Sequence, residues 1–146
     1  MSRTAAGAWA GFAAGMAMAL AMMGWMLATG RSPWTTPDLI AAMWLGDGVA
    51  DGALGLPTLV GFATHQATSA LLGGIAVPFV RDLSPGRTVL AAVAYAVASY
   101  PVVFALVLTW ANPLMVAETS LIPMTLAHAL FGVVLAVVYL RLRALR

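Results

Sequence analysis

Charged side chains divide this chain into long apolar stretches. Four of them carry no charge at all: Thr4–Gly30 (27 residues), Gly52–Val80 (29), Thr88–Ala117 (30) and Thr119–Leu140 (22). A bilayer core about 30 Å thick is crossed by roughly 20 apolar residues of helix, so each stretch is long enough to span. The pattern predicts helices near 5–28, 57–80, 88–110 and 122–142. It therefore predicts one membrane domain over 1–146, an all-α, four-transmembrane-helix up-down bundle. Within the stretches, small and polar positions recur at helical spacing. Gly7, Gly11 and Gly15 make two overlapping GxxxG steps, extended by Ala19. Thr58, Gly61, His65, Thr68/Ser69 and Gly73 form a row on the second helix, and Thr125, His128, Gly132 and Ala136 form one on the fourth. Lipid tails are as apolar as Leu, so helices associate by close packing at small residues. The glycine row on the first helix reads as packing within the chain, with contact to another subunit as the alternative. The two polar rows are expected to face each other across the interior.

The connections have their own signals. Loop one, from Arg31 to about Leu56, is the long one. Thr36 as cap, Pro37 in the first turn and Asp38 at the positive end of the dipole predict a short helix. That helix ends at Gly46, and with Trp34 and Trp44 at its ends it is expected to lie in the outer interface. The Asp47-Gly48 and Asp51-Gly52 steps that follow read as turns, since the spacing and terminal Glu of a calcium loop are missing. Pro101 predicts a kink around Ser99–Tyr100, and Pro78 a bend or fray at the end of the second helix. Trp110-Ala111-Asn112-Pro113 is read as loop three. The halves 1–85 and 86–146 resemble each other weakly, each with a small-residue helix, a Trp/Pro-bearing loop and a returning helix with one His. Duplication and convergent packing both explain that.

Composition narrows the class. The residues are 62% hydrophobic and 8% charged, against about 25% charged in soluble domains, so a water-facing surface cannot be built. There is no Cys, which removes disulfides, thiolate metal sites and thiol catalysis. All seven basic residues are Arg, a bias that fits a GC-rich bacterium. Arg3, Arg81, Arg87, Arg141, Arg143 and Arg146 flank the termini and second loop, with only Arg31 in the other two loops. Positive charge collects on the cytoplasmic side. Both termini are thus expected in the cytoplasm and the protein in the bacterial inner membrane. Basic residues beside spans anchor helices and do not imply nucleic acid. Arg3 followed by 27 uncharged residues is too long for a signal-peptide core, so the first helix is expected to be retained.

The candidate chemistry lies in the histidines and methionines. His65 and His128 fall about 12 Å and 9 Å inside the outer ends of two parallel helices, at 1.5 Å per residue. Intramembrane ionisable groups are functional candidates by default. The plain reading is that each His hydrogen-bonds a hydroxyl or carbonyl and fixes packing. The alternatives are axial ligation of one b-type haem, because neutral imidazoles supply a nitrogen from each side, or a metal or quinone. Met18, Met22 and Met26 form an MxxxM row, which reads as adaptable packing or as soft ligands for copper(I). No acid lies inside a span, and no Walker loop or G-x-S-x-G turn is present, so enzyme activity is not expected.

The last helix carries Ala127-His128, Phe131-Gly132, Ala136 and Tyr139. With the Gly/Ala-rich opening, this resembles a group of uncharacterised four-helix bacterial inner-membrane proteins, in which His65 also has a counterpart. The resemblance implies the four-span architecture and no activity. The expectation from sequence is a non-catalytic accessory or structural subunit, held in the lipid bilayer against other integral membrane subunits.

Overall fold

The computed structural model describes residues 1–145, which are helical with no strand among them. The first helix, α1, is Arg3–Ala28, opened by Ser2, whose hydroxyl accepts from the Ala5 amide. α2 is Thr35–Leu45 and α3 is Leu56–Val80. α4 is Pro85–Ala111, interrupted by one π turn at Phe104–Leu108. α5 is the short Pro113–Glu118, and α6 is Leu121–Ala144. α1, α4 and α6 are each long and apolar enough to cross a membrane. α3 is equally long and uncharged, but Thr58, Thr64, His65, Gln66, Thr68 and Ser69 lower its hydropathy.

α1 sits at the centre, with α3 on one flank and α6 on the other. α4 packs on α6, so α3 and α6 lie across from each other. The contact between α1 and α3 is made by backbone. A methyl group on Gly11 would collide with the Ser69 carbonyl and Gly73 Cα, and one on Gly73 with Gly7 and Gly11. One on Gly15 would lie 2.5 Å from Ser69 Oγ. The glycine row is thus used within the chain. α6 approaches α4 the same way, since a methyl on Gly132 would lie 2.5 Å from Val93 Cα. These contacts show that the small residues of the two polar rows do not meet each other as expected but turn to different neighbours. Ser69 and Gly73 serve α1, Gly132 serves α4, and Gly61 serves α2, where a methyl would strike the Pro37 carbonyl. Ala136, the last member of its row, is buried in the core.

The two ends are tied by polar groups. At one end Arg31 pairs with Glu118 at 3.0 Å, and the Asn112 amide donates to the Leu39 carbonyl at 2.7 Å. At the other, Arg143 donates to the carbonyls of Arg81 and Leu83, closing the α3–α4 turn, and Arg3 lies 3.7 Å from Asp82. Between the ends, large apolar side chains face outward on every long helix, among them Leu20, Leu59, Leu71, Phe79, Leu106 and Leu126. Exposed apolar surface on this scale, together with three helices long and apolar enough to cross a membrane, is that of a membrane protein.

Several local expectations change. Thr36 does not cap α2. The helix starts at Thr35, two residues earlier, with Trp34 in the cap position and no side-chain cap bond; Ser32 Oγ accepts from the Trp34 amide just ahead of it, and Thr36 Oγ1 is buried without a partner. Gly46 does end the helix, at φ 85°. Pro78 leaves α3 helical to Val80. In α4 the irregularity falls after Pro101, as the π turn, and not before it; Thr109 Oγ1 donates back to the Phe104 carbonyl there. Loop three is largely a helix: Asn112 Oδ1 accepts from the Met115 amide at 3.0 Å and so starts α5. Asp51 accepts from the Ala53 amide, as a turn residue does.

Asp38 is fully buried, with Oδ1 accepting from Thr58 Oγ1 at 2.7 Å and Oδ2 unpaired. Burial raises its pKa above the ordinary carboxyl value of 3.8, against the opposing Thr58 hydrogen bond. The native state then holds a proton that the unfolded chain has lost. The carboxyl stabilises the fold most when protonated, and that contribution fades as pH rises through its raised native value. Melting in detergent, followed by circular dichroism, should show stability rising on acidification through the range just above 3.8. Asp38→Asn should flatten that rise; an unchanged slope would remove Asp38 as its source.

The glycine contact gives a second prediction. Gly11→Ala and Gly73→Ala should each cost about 1–3 kcal/mol, the usual penalty of overpacking. Gly24→Ala, where the space for a methyl is open, should cost nothing. Equal melting temperatures for the three variants would show that α1 and α3 are not held this closely.

Candidate functional site: a histidine-bearing cavity

α1 holds α3 so closely that the side chains beside the glycine contact must point along the α1 surface. His65 does so. Its Nε2 lies 3.0 Å from the Gly15 carbonyl. A carbonyl only accepts, so Nε2 carries the hydrogen and Nδ1 keeps a lone pair. On α6, His128 Nδ1 lies 2.8 Å from the Met124 carbonyl one turn earlier. By the same argument Nδ1 carries the hydrogen and Nε2 keeps the lone pair. Neither free nitrogen is among the buried unpaired atoms, so both remain accessible.

Both histidines line one cavity of about 310 Å³, bordered by residues of all six helices. The two imidazoles singled out by the sequence, on α3 and α6, thus line one space. Its walls are mostly apolar, from Met18, Met22, Leu72, Val103, Phe104 and Phe131. Tyr100 adds an aromatic face, its ring centre 4.9 Å from that of His128. Ser69 and Ser99 bring hydroxyls to the lining.

The cavity has a thin side. α3 and α4 meet through Tyr95, whose hydroxyl donates to the Leu72 carbonyl at 3.0 Å and whose ring stacks on Phe79. Beyond that, residues 104–111 make little contact with α3. The lining residues there, Thr68, Val107 and Trp44, are exposed on the apolar flank. Trp44 is held in place by its indole N–H, which donates to Thr64 Oγ1 at 3.0 Å.

Met18, Met22 and Met26 are all buried, but they divide between spaces. Met18 and Met22 line the histidine cavity, whereas Met22 and Met26 line a second one of about 180 Å³ towards the Arg31–Glu118 end. Among the described residues no three His, Asp or Glu side chains come together as a metal cluster.

Two polar residues of the interior escaped the sequence reading. Gln66 is 7% exposed, its amide donating to the Phe12 carbonyl at 3.3 Å while Oε1 has no partner. Asn112 is 2% exposed and joins α5 to α2. A signal was present, because these are the only Gln and the only Asn of the chain and both fall in uncharged stretches. An amide taken out of water must find partners. No protein family, curated protein or solved structure matches this chain.

Proposed function

We propose that the chain is a non-catalytic, four-span protein of the bacterial cytoplasmic membrane that binds a small lipid-soluble molecule in the histidine cavity. The observation that carries this is the cavity itself: apolar walls, two imidazole lone pairs, and a thin flank between α3 and α4 on an apolar surface. A cavity of about 310 Å³ lies at the small end of ligand sites, which are mostly apolar with a few polar groups that orient the ligand. Both free nitrogens accept hydrogen bonds. They suit a ligand that donates, such as a phenol or quinol head group arriving sideways from the lipid. The outward leucines and Phe79 along α3 support counting it as the fourth span. The glycine rows lie inside the fold, so they give no support to contact with other subunits, and the accessory-subunit reading rests on the membrane-embedded character of the chain.

Haem fits the site less well. An axial imidazole binds through Nε2, the nitrogen remote from the side-chain stem, with Nδ1 donating to a carbonyl. His128 has that arrangement. His65 has the reverse, and Nδ1 is crowded by its own Cβ against a flat macrocycle.

The binding reading is tested with the purified protein and a short-chain quinol titrated by intrinsic fluorescence. His128→Ala should weaken binding about tenfold, the equivalent of about 1.4 kcal/mol for one lost hydrogen bond in an apolar site, and His65→Ala similarly. Binding unaffected by both substitutions, or none to wild type, overturns it. A Soret band in the purified protein would restore haem. Topology is tested with single cysteines in this Cys-free chain. An impermeant maleimide added to intact cells should label Asp47→Cys and not Ser84→Cys. The reverse pattern would invert the proposed orientation, and labelling of both would remove α3 as a span.

A further inference from the structure

The second cavity gathers four methionines among its lining residues. Met22 and Met26 of α1, Met115 of α5 and Met124 of α6 all line its volume of about 180 Å³. Each is at most 9% exposed. They come from three helices, and α5 and α6 are far from α1 in sequence. Met fills irregular gaps, yet here four of them from three helices come to one space. Met16 and Met23, on the same helix as Met22, line neither cavity.

From this gathering we infer that the second cavity is a binding site for a soft monovalent cation, copper(I) or its analogue silver(I), held by the thioethers of Met22, Met26, Met115 and Met124. Thioethers are neutral and polarizable. They favour soft ions and discriminate against zinc, magnesium and calcium, which take nitrogen, oxygen or thiolate. Because the ligands bring no negative charge, the ion keeps its full charge in an apolar setting, and a single charge is the least costly to hold there. Glu118 and Arg31, paired at 3.0 Å and each about half exposed, both line the cavity, so their charges offset each other and the thioethers are left as the groups that select the ion.

This site is separate from the histidine cavity. Met22, Met115 and Met124 form the wall between the two, and the histidines line only the larger one. Both proposals can therefore fail independently.

The chain has no Cys, so binding of copper(I) cannot arise from thiols. The full-length protein in detergent, under anaerobic conditions, is titrated with copper(I) against a bicinchoninate competitor. One ion per chain is expected, with a sulfur-only shell in X-ray absorption. Met22→Leu combined with Met124→Leu keeps the volume and should weaken binding at least tenfold without lowering the melting temperature. Met16→Leu with Met23→Leu should bind as wild type, and so should His65→Ala with His128→Ala. A wild type that yields all its copper to the competitor overturns the inference. So does retained affinity in the Met22/Met124 pair, or a nitrogen shell lost with the histidines. Should the paired Leu variant unfold, silver(I) protection decides. A melting temperature of wild type unchanged by equimolar silver(I) refutes the site, and a rise absent from Met26→Leu supports it.

Discussion

The backbone contact between α1 and α3 is the constraint on which the rest depends. Helices in lipid gain little from burying apolar surface against each other, because the tails they displace are equally apolar. What remains is dispersion between closely packed atoms, individually small and collectively large, and it grows steeply as two backbones approach. Gly7, Gly11 and Gly15 allow that approach to Ser69 and Gly73. Once α3 lies there, His65 reaches the Gly15 carbonyl and Gln66 reaches the Phe12 carbonyl. The same small residues that bring the helices together thus place the polar side chains of α3 on α1.

The opposite flank of α1 receives α6, whose Gly132 in turn admits α4. Close packing on three of the four sides leaves the fourth, between α3 and the far part of α4, poorly filled. A cavity at that position follows from where the glycines are. It is apolar because the helices are apolar, and it carries two imidazoles because each His is anchored by a carbonyl of the wall. α2 covers one end, fastened by the Asp38–Thr58 hydrogen bond, by Gly61 beneath Pro37 and by Asn112 from α5.

Helix positions were readable from charge alone. The observed limits of α1, α3, α4 and α6 fall within a few residues of the uncharged stretches, since charge is excluded from lipid wherever it lacks a partner. α2 was readable from turn chemistry, though its start was misplaced: the helix begins at Thr35 with Trp34 in the cap position and no side-chain cap bond, so the hydroxyl that cap chemistry singles out does not set the boundary. α5 was not readable: six residues are too few for periodicity, and its start depends on Asn112 being pulled inward by the Leu39 carbonyl. The direction of the polar rows failed for a related reason. Helical spacing shows which residues share a face, but not which neighbour that face meets.

Sequence alone therefore determined that the chain is helical and that its uncharged stretches suit lipid. Each of these follows from one helix considered by itself. Which helix each glycine admits, which nitrogen of each imidazole is left free, and how methionines from three helices come to line one space were decided only by tertiary structure. Those are relations between helices, set by the distance at which backbones stop against each other, and no single stretch of residues contains that distance.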